Sequence, residues 1–327
     1  MHECMVLPSI PALVSPLSSL YIRRMAGRHD ALFKSVFEQP EHAAALIYPH
    51  LSEALRTSID WSTMTLLPGS FVDEDLRHRH CDLVFRVASF SGPLLVYVLL
   101  EHQSSSDPLM TLRIFVYLGR LWARWAKEHP GERLPLIVPL VVSNAPDGWH
   151  APVRFSELFP LELLGGTETR HLPDFEILVD DLCRTSDDEL ASRAMANAAK
   201  LALWLLSNGR FEHRLRATMH RWAGLFEGLP FASLSTLMRY FASVTNDPEI
   251  WQEFRANLRA AAPSAEGDAM SLYDQWIAQG RAEGHAEGHA AGRAEGEATL
   301  LTRLLTTKFG PLSESIRTRL ATASIAE

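Results

Sequence analysis

The fold is decided by one stretch, CDLVFRVASFSGPLLVYVLLEHQSSSDPLMTLR, which runs from Cys81 to Arg113. Its first part, Cys81–Ala88, alternates. Leu83, Phe85 and Val87 fall on one side of an extended chain, and Asp82, Val84 and Arg86 fall on the other. Its second part, Leu94–Glu101, is almost wholly apolar and rich in Val, Leu and Tyr, as a buried strand would be. Ser91–Gly92–Pro93 between them reads as a hairpin connection. Asp107–Pro108 then opens a helix, with Asp as N-cap and Pro at the first helical position. That helix runs to about His129, where Pro130–Gly131 stops it. Leu112, Phe115, Val116, Gly119 and Trp122 read as its apolar stripe, and Arg113, Tyr117, Arg120 and Arg124 as another face.

Outward from this stretch, a helical pattern covers His29–Leu55 through Leu32, Phe33, Val36, Phe37, Ala44, Leu46 and Ile47, broken near Gln39–Pro40–Glu41. A polar segment with Pro68–Gly69 follows, then a short strand around Ser70–Val72. On the far side, Leu134–Val142 is apolar on both faces and reads as a central strand, although Pro135 and Pro139 are awkward inside it. The resulting order, helix, three strands, helix, strand, is an α/β core.

From about Asp187 to Ala262 the pattern is mostly helical, clearest over Ala194–Leu206, Phe211–Phe226 and Ser233–Phe241. The reading therefore divides the chain into a flexible extension (1–24), a core domain (25–185), a helical region (186–262), a linker (263–279), a glycine repeat (280–298) and a short helical tail (299–327). The repeat, GRAEGHAEGHAAGRAEG, places glycine at 280, 284, 288, 292 and 296. Each interior glycine costs a helix about 1 kcal/mol against alanine, so the segment reads either as a tether or as a helix whose glycine stripe admits a close partner. At about 3.6 residues per turn, a period of four winds slowly round the helix, which suits a wrapped pair of helices and hence a homodimer.

Composition bounds the function classes. The chain is 47% hydrophobic and 21% charged, as a soluble globular protein is. Neither Pro93–Leu100 nor Leu134–Val142 is long enough to span a membrane as a helix. The arginines near the N-terminus follow the apolar residues there, the wrong order for a secretory signal. Cys4, Cys81 and Cys183 are few and far apart, which fits a reducing, cytoplasmic compartment. A net charge of −8 means that any nucleic-acid contact must be made by a local basic surface.

The chemistry lies at the strand ends. Asp82 sits near the start of one strand and Glu101 ends the next; Gln103, two residues on, shares Glu101's side of an extended chain. A tight hairpin lets Asp82 and Glu101 converge. Two such carboxylates repel unless a cation lies between them, and a hard divalent ion such as Mg2+ or Mn2+, with one or two carboxylates and waters, is the natural occupant. Such an ion serves phosphodiester hydrolysis, with Gln103 placed to hold the attacking water or a phosphate oxygen. On spacing alone, a solvated strand end is the commoner meaning of such a pattern. His78 and His80 beside Cys81 lack further ligands at zinc spacing and read as surface residues. His102 should point away from Glu101, and the spacing of His285 and His289 is explained by the repeat.

Four blocks resemble the recombination-promoting nuclease (Rpn, YhgA-like) family in order and spacing. They are His29–Lys34, Arg79–Phe85, Val98–Ser105, and Asp107–Arg113 with Tyr117. The resemblance covers about 25–142 well and continues more loosely to the C-terminus. It implies the PD-(D/E)xK superfamily, with a restriction-endonuclease-like core and DNA as substrate, and it implies that Asp82 and Glu101 are the metal ligands. Gln103 would stand where that superfamily carries lysine, so the site would lack its cationic group. Asp30 would shape the site or cap its helix. Arg113, inside a matched block, Tyr117 and Arg120 are the candidates to meet the phosphate backbone, with a solvated helix face as the other meaning of Arg120 and Arg124. The expectation is a magnesium-dependent DNA endonuclease linked to recombination or mobile elements. The rivals are a catalytically decayed DNA-binding scaffold and an unrelated protein-interaction module.

Overall fold

The computed structural model describes residues 16–68, 81–90, 92–101, 107–160, 168–245, 247–311 and 313–314. The chain falls into two compact units, Met1–Asp268 and Ala269–Glu327.

The first unit opens with α1 (Pro16–Phe37), which already includes part of the stretch read as a flexible extension. Leu32, Phe33, Val36 and Phe37 form its buried face, with the two phenylalanine rings 4.7 Å apart. The helix stops before Pro40, whose missing N–H suits the first turn of α2 (Pro40–Ile47). In α3 (Glu53–Ser58) the Ser52 hydroxyl accepts from Leu55 N and caps the start.

Five strands follow in the order β1-β2-β3-β4-β5 across one sheet. β1 (Ile59–Leu66), β2 (Cys81–Ser89) and β3 (Gly92–Glu101) form an antiparallel meander. α4 (Met110–Glu128) then crosses over to β4 (Leu136–Ser143), parallel to β3, and β5 (Leu178–Asp181) adds a parallel edge. The helix, three strands, helix, strand order stands, and the chain is α/β. A strand not expected from the sequence, β1, lies in the segment read as polar: Ile59 and Met64 bury while Asp60, Ser62 and Thr63 between them are exposed. The strand expected at Ser70–Val72 lies outside the described residues. β5 was not foreseen. The β2–β3 turn is tighter than expected: Ser89 pairs with Gly92, so only Phe90 and Ser91 connect the strands. Pro139 is tolerated because β5 pairs β4 only from Leu140 onward, so Pro139 has a single neighbouring strand.

The sheet has two covered faces. Val84, Leu95, Ile137 and Val141 lie on one and pack against Met110, Ile114, Tyr117, Leu118, Leu121 and Trp125 of α4. This corrects the expected apolar stripe of that helix. Leu112 and Val116 are 40% and 43% exposed, and the buried face is the neighbouring stripe, two to three residues out of phase. The helix carries two apolar stripes, and the sheet buries the one that holds Ile114, Tyr117, Leu118, Leu121 and Trp125. Asp107 does not cap it in the expected place either. The helix starts at Met110, while Asp107 Oδ1 accepts from Leu109 N at 2.9 Å.

The opposite face of the sheet, with Leu83, Phe85, Val87, Leu94 and Val96, is buried beneath the helical layer, where α1 packs on β2 and α2 on β1. That layer is completed by α5 (Asp187–Ser192), α6 (Asn197–Asn208), α7 (Glu212–Trp222), α8 (Phe231–Val244) and α9 (Pro248–Ala261). α6 is its centre: Leu201 to Leu206 are all wholly buried. Trp204 stacks on Trp222 at 5.7 Å and donates its indole N–H to Thr218 Oγ1 at 2.9 Å. α1 packs on both α6 and α8, so residues 25–185 and 186–262 belong to one unit.

α10 (Pro263–Phe309) is a single helix of 47 residues. The linker expected over 263–279 is helical instead. Pro263 starts it at a position that needs no N–H, and Ala, Met, Leu and Gln propagate it. The glycine repeat is helical as well. Of the expected helical tail, residues 312 and 315–327 lie outside the described residues.

Candidate active site

Asp82 faces Leu99 across the β2–β3 ladder, and Glu101 lies two residues beyond Leu99. In a pleated pair, residues opposite each other share a face, and so do residues two apart on one strand. Asp82 and Glu101 therefore occupy same-face, diagonal register positions at the end of the hairpin remote from its turn. Val84, two residues from Asp82, packs under α4, so this is the face that α4 covers. For both acids the backbone and register are described. Gln103, His102, His78 and His80 lie outside the described residues.

The register continues across the sheet. Glu101 pairs with Ser143 of β4, and Ser143 pairs with Asp181 of β5. Glu101, Ser143 and Asp181 thus form one row at the C-terminal ends of three parallel strands, the end at which open α/β sheets bind ligands. Sequence reading missed Ser143 and Asp181. The available signal was the run Ile177–Leu178–Val179 ending in Asp180–Asp181, too short to stand out as a strand.

Asp181 organises the loop behind this row. Its Oδ2 accepts from Trp149 N at 2.7 Å, its Oδ1 accepts from Cys183 N at 3.1 Å, and Arg184 Nε stands 3.4 Å away. Gly148 takes φ +82°, and a Cβ there would meet Arg184 Nε at 2.6 Å and Asp181 Oδ2 at 3.0 Å, so the loop needs glycine at this point. Asn144 Nδ2 donates to Leu206 O at 3.1 Å and ties the same loop to α6.

Asp180, the neighbour of Asp181, faces the other way and is 2% exposed. Arg193 grips it with two hydrogen bonds of 2.6 and 2.7 Å, and His50 Nε2 lies 3.6 Å off. Burial alone would raise this carboxyl, but the guanidinium and the imidazole hold it below the usual aspartate range.

The remaining expected site residues are placed as follows. Asp30 is half-buried and lies well inside α1, so the capping alternative is excluded by a helix that starts at Pro16. Its helix packs on β2, the strand of Asp82. Arg113 is held at 2.8 Å by Asp107, which ties the residue just ahead of α4 to its first turn. Tyr117 is corrected: at 8% exposure it belongs to the core under α4 and shares no exposed face with the arginines, because the stripe it sits in is the one the sheet buries. Arg120 is exposed on α4, and Arg124 bonds Glu128 at 2.7 Å.

Comparison with known proteins agrees with the earlier resemblance. Residues 27–227 match the family described as "Putative transposase, YhgA-like". The recombination-promoting nuclease RpnD of Escherichia coli O157:H7 is 28% identical over 250 residues, covering 76% of this chain and 93% of that protein. RpnA of Escherichia coli K12, also named a recombination-promoting nuclease, is 36% identical over 129 residues, 39% of this chain and 42% of its own. The K12 protein RpnE, named an inactive recombination-promoting nuclease-like protein, is 31% identical over 162 residues, 50% of this chain and 53% of its own. No solved structure matches. With well over half of its length under one family model, the chain belongs to the YhgA-like (Rpn) family.

Proposed function

We propose that this chain is a metal-dependent endonuclease that hydrolyses DNA phosphodiester bonds in the cytoplasm, in recombination or mobile-element processes. The observation that carries this reading is the register. It sets Asp82 and Glu101 on one sheet face, on adjacent strands, in a chain 28% identical to RpnD along nearly all of that relative. The helix, three strands, helix, strand order supports a restriction-endonuclease-like, PD-(D/E)xK core.

The donor set fits a hard divalent ion. Two carboxylates at diagonal positions supply the partial oxygen shell that Mg2+ or Mn2+ completes with water and substrate phosphate. When bound, the ion supplies Lewis-acid polarisation of the scissile phosphate and offsets its charge. Asp82 and Glu101 hold it. Gln103 orients a water or a phosphate oxygen by hydrogen bonding. Arg120, on the exposed side of α4, meets the DNA backbone, and Arg113 steadies the start of α4 through Asp107. Asp30, on the helix behind β2, steadies the strand that carries Asp82.

The purified full chain should nick or linearise plasmid DNA with magnesium and stop on chelation, while a chain carrying both Asp82→Ala and Glu101→Ala stays inert. Equal cleavage by the two proteins would refute the site. The similarity to RpnE favours a second reading, a decayed nuclease that still binds DNA; binding without cleavage in any divalent metal would select it.

We further propose that α10 pairs two chains through residues 280–298. Within the chain, Leu300, Leu301 and Leu304 of this helix are 59%, 45% and 58% exposed, and the glycine stripe beside them lets a second helix approach closely. Sedimentation should give a dimer for the full chain and a monomer for a chain ending at residue 279; a monomeric full chain would overturn this.

A further inference from the structure

Ser143 ends β4 in the middle of the acidic row, and it is 0% exposed. Register puts Glu101 on the strand to one side of it and Asp181 on the strand to the other. Alternation keeps Glu101 and Ser143 on the face that α4 covers. Leu95 and Ile137 pair with each other in the core under that helix, and they lie an even number of residues before Glu101 and Ser143. Neighbouring strands run about 4.8 Å apart, so a short side chain on β4 is within reach of a carboxylate beside it on β3.

A buried hydroxyl has an oxygen that accepts and a proton to donate. The oxygen of Ser143 is used: it accepts from Ala145 N at 3.4 Å. The proton has no acceptor among the described residues. Asp181, next in the row, does not take it; its Oδ2 and Oδ1 accept from Trp149 N and Cys183 N instead. Thr111, wholly buried at the start of α4, does not take it either, because its own hydroxyl has no hydrogen-bond partner. A buried donor left unmade is costly, and alanine would avoid that cost with nearly the same shape. Serine at this point is explained by an acceptor on the remaining side of the row, which is the position of Glu101.

We propose that Ser143 is a positioning residue of the nuclease site: its hydroxyl donates to the Glu101 carboxylate and holds it in the orientation that meets the divalent ion. The inference rests on Asp82 and Glu101 being the metal acids. A hydroxyl–carboxylate hydrogen bond is charge-assisted, and beneath α4 little water competes for it. It fixes which oxygen of Glu101 faces the ion. Outer partners of this kind hold ligands in place around metal sites generally, and losing one costs about 10–100-fold in metal affinity or activity.

The readout is the Mn2+ affinity of the full chain, measured calorimetrically without DNA, so it does not depend on turnover. Ser143→Ala and Ser143→Cys both lose the strong donor. Each should weaken Mn2+ by about tenfold or more while circular dichroism shows a folded chain. The loss from Ser143→Ala should persist in an Asp82→Asn background and vanish in a Glu101→Gln background, where its partner is already gone. A serine that only supports the loop would weaken both backgrounds alike, and that result would overturn the proposal. So would unchanged affinity in both serine variants of a chain whose Mn2+ binding depends on Asp82 and Glu101; the metal reading would then stand without Ser143. Mn2+ binding indifferent to Asp82 and Glu101 would overturn the metal reading itself, and the role of Ser143 with it.

Discussion

Asp82→Asn and Glu101→Gln are each expected to lower magnesium-dependent DNA cleavage by on the order of a hundredfold to a thousandfold, and the double variant should be no slower than the worse single. Both substitutions keep side-chain size and remove one negative charge from a position fixed by strand register. If the two acids act as one centre, losing either disables it, and the second loss adds little. If they act separately, the losses multiply. Single-turnover cleavage of a plasmid by the three variants distinguishes these cases. Multiplying losses would sink the shared centre even if every variant were impaired. Stability should not account for the result, since removing repulsion between two carboxylates does not unfold a strand end.

The second large effect is on stability. Arg193→Ala should lower the free energy of unfolding by about 3 kcal/mol, because it leaves a buried carboxylate with only the more distant His50 beside it. Asp180 is 2% exposed and Arg193 is 13% exposed by side chain, so solvent screens this pair little. Replacing both partners, as Asp180→Leu with Arg193→Met, should recover most of the loss, since no buried charge is then left alone. Urea unfolding at neutral pH reads both variants, and an Arg193→Ala midpoint close to that of the unmodified chain would contradict the argument.

The pH dependence of the same pair has a definite sign. Folding depresses the Asp180 carboxyl below its unfolded value. Its contribution is therefore fully present above about pH 4 and is lost as pH falls through the lower folded value. Asp180→Asn should flatten that part of the acid limb. The consequence reaches the site through the chain, because Asp181, next along β5, anchors the loop behind the row of Glu101 and Ser143.

How much of this was legible follows from the range over which each signal acts. The hairpin from Cys81 to Glu101 is local. Two-residue alternation, an apolar run and a turn residue specify it, and the diagonal relation of Asp82 to Glu101 follows from alternation once the strands pair. The break at Pro40 and the stop at Gly131, whose φ is +84°, are equally local, since they reside in one residue's covalent geometry. The resemblance of four blocks to the Rpn family is likewise a property of the sequence, and the family match over residues 27–227 agrees with it.

Tertiary structure alone decided the rest, because each remaining choice was degenerate until a neighbour was present. α4 offers two apolar stripes, and only the sheet beneath it selects Ile114, Tyr117 and Leu121 over Leu112 and Val116, which buries the tyrosine that an amphipathic reading had set among the arginines. β5 has four residues, too few for a period to show, and exists because β4 offers it an edge. The opposite roles of Asp180 and Asp181, adjacent in sequence, come from the pleat: one turns to Arg193 in the helical layer and the other to the backbone of the β4 loop. The packing of α1 on α8 joins residues more than two hundred positions apart. Local signals fix the conformation of a few residues at a time, whereas the choice of face, edge and partner is made by burial, which is a property of the assembled layers.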